Sequence, residues 1–304
     1  MSPARWDVVG VGENSVDLLI RLPARPEFGP GEKMPIESQT LAMGGQVVTA
    51  LCTCASLGLR TAYVGVFGDD EHGRFARREL EQRSVDTSAS FVRQAPTRQA
   101  VILVDAQGER SVLWSRDLAL TLQPDQLPTT VFEQTRLVHV DSVDAGASLE
   151  AARRARLAGA IVTCDLDAAD PDTVALFDAA TVPILAEQVP SAITGEPDVE
   201  RALRLLGRRH PGPICVTLGA RGALLLDGDD LHVARSPDVK VVDTTGAGDV
   251  FRGAYITALL EGLPPEAVLR FATAAAAISC TRVGAVAGVP SRSEIEALFA
   301  PRQG

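Results

Sequence analysis

Aromatic residues are scarce in this chain. Nine Phe, two Tyr and two Trp make up 4% of its 304 residues, too few for a surface built to stack on nucleic-acid bases. It also lacks a basic run. Lys and Arg total 29 against 39 Asp and Glu, a formal charge of −10, so nucleic acid and anionic membrane are excluded as expected partners. There is no Cys-x-x-Cys pair. Cys52, Cys54, Cys164, Cys215 and Cys280 are odd in number and scattered, which fits reduced thiols in a cytoplasmic protein. No signal peptide is expected, because the chain enters a strand-like run within its first seven residues. Its longest uncharged stretch, 38–59, carries Gln39, Thr40, Gly44, Gly45 and Gln46, and that polarity argues against a membrane helix.

What the chain has is core: 46% of its residues are hydrophobic and 22% charged, ordinary values for a globular protein. Strand-like runs at 7–11, 61–67, 137–140, 160–164, 182–185 and 214–218 alternate with helical patterns at 45–57, 71–83, 147–156 and 198–209. Such alternation predicts an α/β fold, a mostly parallel sheet with helices on both faces. No linker or repeat divides it, so 1–304 reads as a single domain. Two stretches leave this rhythm. Residues 17–41 are extended and rich in Pro and Gly, and 98–114 resembles a hairpin around Asp105-Ala106-Gln107-Gly108. The C-terminal part is helical over 247–261, 266–281 and 293–299, with Pro264 and Pro290 marking helix starts.

The sharpest local pattern is Asp243-Thr244-Thr245-Gly246-Ala247-Gly248-Asp249. A strand ends, small residues turn tightly, and a helix begins. Gly246 and Gly248 expose backbone N–H groups at the positive end of a helix dipole, a site for phosphate or a developing anion. Asp249 falls in the first helical turn, where it either takes a proton from an attacking hydroxyl or merely caps the helix. Three further patterns stand out: Gly12-Glu13-Asn14-Ser15-Val16-Asp17 after the first strand, Gly44-Gly45 before a helix with Gly68-Asp69-Asp70-Glu71-His72-Gly73 further on, and Thr217-Leu218-Gly219-Ala220-Arg221-Gly222. Gly10-Val11-Gly12 is no dinucleotide fingerprint, since Ser15 stands where a third Gly is needed.

These motifs together resemble the ribokinase-like (PfkB) carbohydrate kinases over nearly the whole chain, from 7 to about 299. The resemblance implies a three-layer ribokinase-like fold with a small β lid, formed by approximately 13–42 and 92–117. It implies an ATP-dependent phosphotransferase acting on an alcohol group of a sugar or sugar-like substrate. Asp249 would be the general base, and Gly246, Ala247 and Gly248 the anion hole. Asn14, Asp17, Gly44 and Gly45 would hold the sugar. Arg116, at the end of the hairpin, would either pair with an anionic substrate group or serve structure. Thr217, Gly219, Gly222 and Ala275 would meet the nucleotide, and Glu187 would organise Mg²⁺. Asp243 and the Thr245 carbonyl would hold K⁺, and a homodimer would form through the lid. Three positions depart from the pattern: Thr49 replaces a usual Asn, Ala186-Glu187-Gln188-Val189 replaces Asn-x-x-Glu, and Arg252 follows the signature Phe251. A nucleoside kinase, with Trp114 or Phe28 stacking on the base, and a catalytically silent binding protein are the alternatives.

Overall fold

Strands buried on both faces must be apolar on both faces, and the run from Trp6 to Val11 is: all six residues are buried. The structure, a computed structural model, describes residues 4–26, 29–31, 33–107 and 109–299. Trp6–Val11 lies within a nine-stranded sheet. The spatial order is Asp230–Ala234, Ala223–Asp227, Ile214–Thr217, Val182–Ala186, Ile161–Leu166, Thr135–Asp141, Trp6–Val11, Thr61–Val64 and Val85–Asp86. From Ile214–Thr217 to Val85–Asp86 every pairing is parallel, while the first two strands are added antiparallel. Trp6–Val11 is flanked by Thr135–Asp141 on one side and Thr61–Val64 on the other. Chain order therefore reverses there, and a crevice opens beyond the strands' carboxyl ends.

Side chains alternate across the sheet. Val9 and Val11 join the core under the helices Ala145–Leu157, Pro171–Ala179 and Val199–Gly207, whereas Val8 joins the core under Gln46–Ser56. On that second face Ala247–Leu260 packs between Gln46–Ser56 and Pro265–Ser279. The approach is close because Gly253 lacks a side chain: a Cβ there would stand 2.4 Å from the Ala50 carbonyl oxygen.

A second, four-stranded sheet projects from the first, in the order Ser38–Gly44, Ser15–Arg21, Gln99–Val104, Arg110–Ser115. One side carries a small core of Leu19, Ile102 and Val104, while Arg110–Ser115 is exposed along its length. Both stretches that leave the sequence rhythm thus become strands of one sheet. The run 61–67 is not a single strand. It breaks at Gly65 into Thr61–Val64 in the main sheet and Val66–Gly68, which pairs with Phe91–Arg93. A Cβ on Gly65 would lie 2.0 Å from the Tyr63 hydroxyl oxygen, so the break accommodates that ring. The hairpin Ala223–Asp227/Asp230–Ala234 and the helices Pro171–Ala179 and Gln188–Thr194 carry no sequence pattern strong enough to announce them. No helix among the described residues is long and apolar enough to cross a membrane.

Candidate active site

The turn before Ala247–Leu260 is held by one carboxylate. Asp243 Oδ1 accepts from the Thr245 amide (2.9 Å) and hydroxyl (2.7 Å), and Oδ2 accepts from the Gly284 amide (2.8 Å). Asp243 is buried and forms no ion pair among the described residues. Gly246 then caps the helix at φ +74°, where a Cβ would stand 2.5 Å from that of Ala285. No side chain caps this helix. The first-turn amides of Gly248 and Asp249 therefore have no intrahelical acceptor and remain available to an anion. Asp249 is not spent on capping. Its carboxyl lies within hydrogen-bond reach of Asp165, at the carboxyl end of Ile161–Leu166. Burial, reinforced by the charge of Asp165, pushes Asp249 well above the ordinary carboxylate range, and the Arg252 guanidinium opposes this. Burial also raises Asp165, to about 6, although Arg252 forms an ion pair with it.

Across the crevice, the structure gathers Asn14, Asp17, Gly44 and Gly45. A Cβ on Gly44 would lie 2.0 Å from Asp17 Oδ2, and one on Gly45 would lie 2.7 Å from Asn14 Cα. The Gly-Gly pair is what lets this backbone close on those two side chains, Gly45 at φ +106°. Ser15 Oγ donates to Asp17 Oδ1 at 2.8 Å, and burial raises the Asp17 carboxyl. Asn14 Nδ2 is committed within the protein, donating to the Tyr63 hydroxyl (2.6 Å) and the Val66 carbonyl (2.9 Å). Its Oδ1 is buried without a partner. Gly68 and Gly73, by contrast, do not open a ligand site. Their missing side chains make room for Thr97 and the Gly68 carbonyl, and Asp70 caps the helix Glu71–Gln82 while holding the Thr97 amide at 2.8 Å.

Four charged residues on this side had no sequence motif. Asp141 ends its strand in register with Asp165 of the next. It accepts from the amides of Glu13 (2.7 Å) and Val143 (2.9 Å), and burial, with Glu13 nearby, pushes it up to about 8. Gly12 is obligatory there, since a Cβ would stand 2.5 Å from the Asp141 carboxylate. Asp144 is buried between Arg98 (2.8 Å) and Arg116 (2.6 Å). Arg116 is thus turned onto Asp144 and the Val143 carbonyl. The available signal was the Asp ending each of two apolar runs, Leu137-Val138-His139-Val140-Asp141 and Ile161-Val162-Thr163-Cys164-Asp165. Strand ends of a parallel sheet are where ligands bind.

The other half of the crevice is a cleft of about 500 Å³ lined by Thr217, Gly219, Gly222, Thr244, Ala247 and Gly248, with Thr273, Ala276, Ala277 and Cys280 opposite. Gly222 must be glycine, at φ +100° and with a Cβ position 2.0 Å from the Ala234 carbonyl oxygen. The expectation for Ala275 is corrected. Helical periodicity puts residues 273, 276, 277 and 280 on the cleft face, and Ala275 faces the core, fully buried. Arg110, from the second sheet, reaches this cleft and donates to Thr245 Oγ1 at 2.9 Å. Glu187 does not join Asp243 and Thr245; it is exposed and paired with Arg221. Among the described residues no group of three His, Cys, Asp or Glu is placed to hold a metal. Trp114 is exposed, and Phe28 lies outside the described residues.

A nine-stranded, mostly parallel sheet between helices, with a second, four-stranded sheet and a cleft at a helix N-terminus, defines a phosphotransferase of ribokinase-like fold. Residues 7–292 match the pfkB family carbohydrate kinases, and the chain belongs to that family. It is a carbohydrate kinase, transferring phosphate to an alcohol group. Its relatives include a ribokinase of Arabidopsis thaliana, 27% identical with 95% of this chain and 79% of the relative covered, and a fructokinase of Solanum tuberosum, 30% identical with 83% and 85% covered. Among solved structures, a candidate ribokinase from Agrobacterium tumefaciens superposes with TM-score 0.91 at 29% identity, covering 97% of both chains. The Arabidopsis thaliana ribokinase complexed with ribose and ATP superposes with TM-score 0.85 at 25% identity, covering 97% and 99%.

Proposed function

We propose that this kinase moves the γ-phosphoryl group of ATP to a hydroxyl of a ribose- or fructose-like sugar, with Asp249 as general base. The observation that carries this reading is the position of Asp249. It follows Gly248 of the 500 Å³ cleft's wall at the uncapped first turn of its helix, with Glu13 of the Gly12–Asp17 loop among the charges acting on it, and it caps nothing. The sugar is held by Asp17, whose carboxylate accepts hydroxyl hydrogen bonds, and by the unpartnered Asn14 Oδ1. The cleft takes the nucleotide, with Thr217, Gly219 and Gly222 along one side and Ala276 and Ala277 making room on the other. Asp249 accepts the hydroxyl proton as the oxygen attacks, and the amides of Gly246, Gly248 and Asp249 stabilise charge on the transferring phosphoryl, the Ala247 amide being held by the Thr244 carbonyl at 3.3 Å. Little covalent chemistry is left for the protein; positioning and electrostatics carry the rate.

The donor set fits a Mg²⁺ that arrives on the nucleotide and keeps its waters, since no protein cage is present among the described residues; such an ion supplies neutralisation of phosphate charge. Glu187, beside Arg221, is the carboxylate that would meet its waters. Asp243 fits a monovalent cation, being a buried carboxylate that only N–H and O–H donors now satisfy. The four-stranded sheet serves as the lid, closing over the sugar and excluding water. Its exposed Leu41 and Leu113, which register places on one face, mark the side through which two copies would pair. ATP consumption measured across a panel of pentoses, hexoses and nucleosides tests the reading. Turnover with a pentose or hexose is expected; turnover with nucleosides alone would overturn the sugar assignment. Faster turnover in K⁺ than in Na⁺ or a large organic cation is the expected result for Asp243, and equal rates would remove that cation.

A further inference from the structure

Arg252 lies in the first turns of Ala247–Leu260 and is almost wholly buried. A buried guanidinium is costly unless an anion holds it. Here the anion is Asp165, the two forming an ion pair. Arg252 Nε has no partner, so a two-pronged match is not made. The Nη1 atom lies 2.6 Å from where a Cβ on Gly248 would stand. The charge thus lies directly under the turn that carries the anion hole, and Gly248 is what admits it. Neither oxygen of Asp165 receives an aligned hydrogen bond, so the guanidinium's charge alone compensates it. Asp249 is within hydrogen-bond reach of the same carboxyl. Two carboxyls so close ordinarily retain one proton between them, and a base that retains its proton cannot take another.

We infer that Arg252 is a positioning residue for the transfer: it favours the anion of Asp165 beneath Asp249, opposes retention of a shared proton by the pair, and so lowers the pH above which Asp249 accepts the substrate's proton. The inference rests on the proposed role of Asp249. The other charged or titratable groups around the pair are few. Glu13 faces it from beyond Trp6–Val11, Asp167 from beyond Ile161–Leu166, and His139 from Thr135–Asp141. Burial and Arg252 lower His139 to about 3, so it adds no charge. Asp141, on that same strand, faces Glu13. Cys164 and Cys215 also feel Arg252, but burial pushes both thiols up and keeps them neutral. Gln46–Ser56 carries no charged residue, and the Glu266 and Arg270 of Pro265–Ser279 lie in that helix's first half, away from its Cys280 end at the turn.

The test is the pH profile of kcat/KM for whichever of ribose or fructose the wild type phosphorylates. In Arg252→Met the acid limb should move up by about one pH unit or more, a roughly tenfold loss on the acid side that is regained in alkali. Arg252→Lys should keep the wild-type limb. Asp165→Asn should move it down, because the anion beneath the base is gone, and Asp165→Asn/Arg252→Met should bring it back from the position of Arg252→Met. A loss in Arg252→Met that is the same at every pH, or a double variant no different from it, overturns the inference. Should Arg252→Met not fold, an unmoved limb in Asp165→Asn overturns it instead. Near-normal turnover in Asp249→Asn would sink the base itself. An inactive Asp249→Asn beside an unmoved limb in Arg252→Met would sink only the role of Arg252.

Discussion

The two ends of the main sheet treat carboxylates in opposite ways. At its amino end Asp7 receives the Arg60 side chain (3.0 Å) and amide (3.0 Å), and Arg136 at 3.3 Å, and these hydrogen bonds, Arg60 foremost, bring it down to about 2. At the carboxyl end burial dominates. Asp141 is raised to about 8, Asp165 to about 6, and Glu13, Asp17 and Asp249 are raised as well. A carboxylate whose charge is stabilised by folding strengthens the fold, and one whose charge is hindered weakens it. Crowding acids where they oppose stability is the signature of a functional site. The amino end of the sheet holds the molecule together; the carboxyl end holds groups poised to gain or lose protons.

Removing the base should have the largest effect on this contrast. Asp249→Asn preserves shape, leaves every backbone amide of the turn in place, and removes the proton acceptor. Turnover should fall by about 10²–10⁴, while the Tm and the affinity for ATP stay near their wild-type values. Calorimetric ATP titration beside a single-turnover assay measures both. A variant that loses stability but keeps turnover would return Asp249 to a structural role.

Next in size is Asp17→Ala. It removes a hydroxyl acceptor from the sugar recess and touches nothing in the nucleotide cleft. The loss should be roughly 1.5–3 kcal/mol in sugar binding, with ATP affinity unchanged. If calorimetry shows equal sugar affinity, the recess gathered around Gly44 and Gly45 is not the sugar site.

The third test is of pH. Asp141 is held at about 8, far above the ordinary value, so the folded chain binds a proton there that the unfolded chain releases. Its contribution to stability is therefore full below about pH 4 and disappears as pH rises to 8. The Tm of the wild type should fall across this window, and Asp141→Asn should flatten part of the slope. An identical slope in both proteins would mean that Asp141 is ionised throughout.

Much of this was legible in the sequence, for an identifiable reason. The nucleotide half is made of backbone and small residues contiguous in the chain, such as Gly246-Ala247-Gly248 and Gly219 to Gly222, so a local motif contains the geometry. The parallel sheet was legible because its strands are uniformly apolar. The acids and arginines of the other half come from separate strands and loops. Asp141 and Asp165 meet because their strands pair in register, and Arg98, Arg116 and Asp144 meet because a loop folds over a helix start. No spacing along the chain encodes those contacts. Arg252 stood out only as an unusual residue after Phe251, and its partner Asp165 was not foreseen. Ala275 was misplaced by one helical step, which is the difference between the cleft and the core.

The smallest effect belongs to the amino end, where the contrast predicts a purely structural consequence. Asp7→Ala removes an acceptor that Arg60 and Arg136 share, but both arginines are about half exposed, at 58% and 46%, and solvent screens them. The cost should be about 1 kcal/mol at neutral pH, the upper part of the range for partly exposed ion pairs. Its pH dependence should mirror that of Asp141. Because folding lowers Asp7 to about 2, its contribution is complete above about pH 4 and is lost as pH falls towards 2, so variant and wild type should converge in acid. Kinetic constants at neutral pH should not change, since Asp7 sits at the opposite end of its strand from Gly12 and the crevice. Urea unfolding at pH 7 and pH 2.5 beside a steady-state assay tests all three expectations. A shift in kcat, or a stability gap that persists in acid, would show that the two ends of the sheet are not as separate as their carboxylates imply.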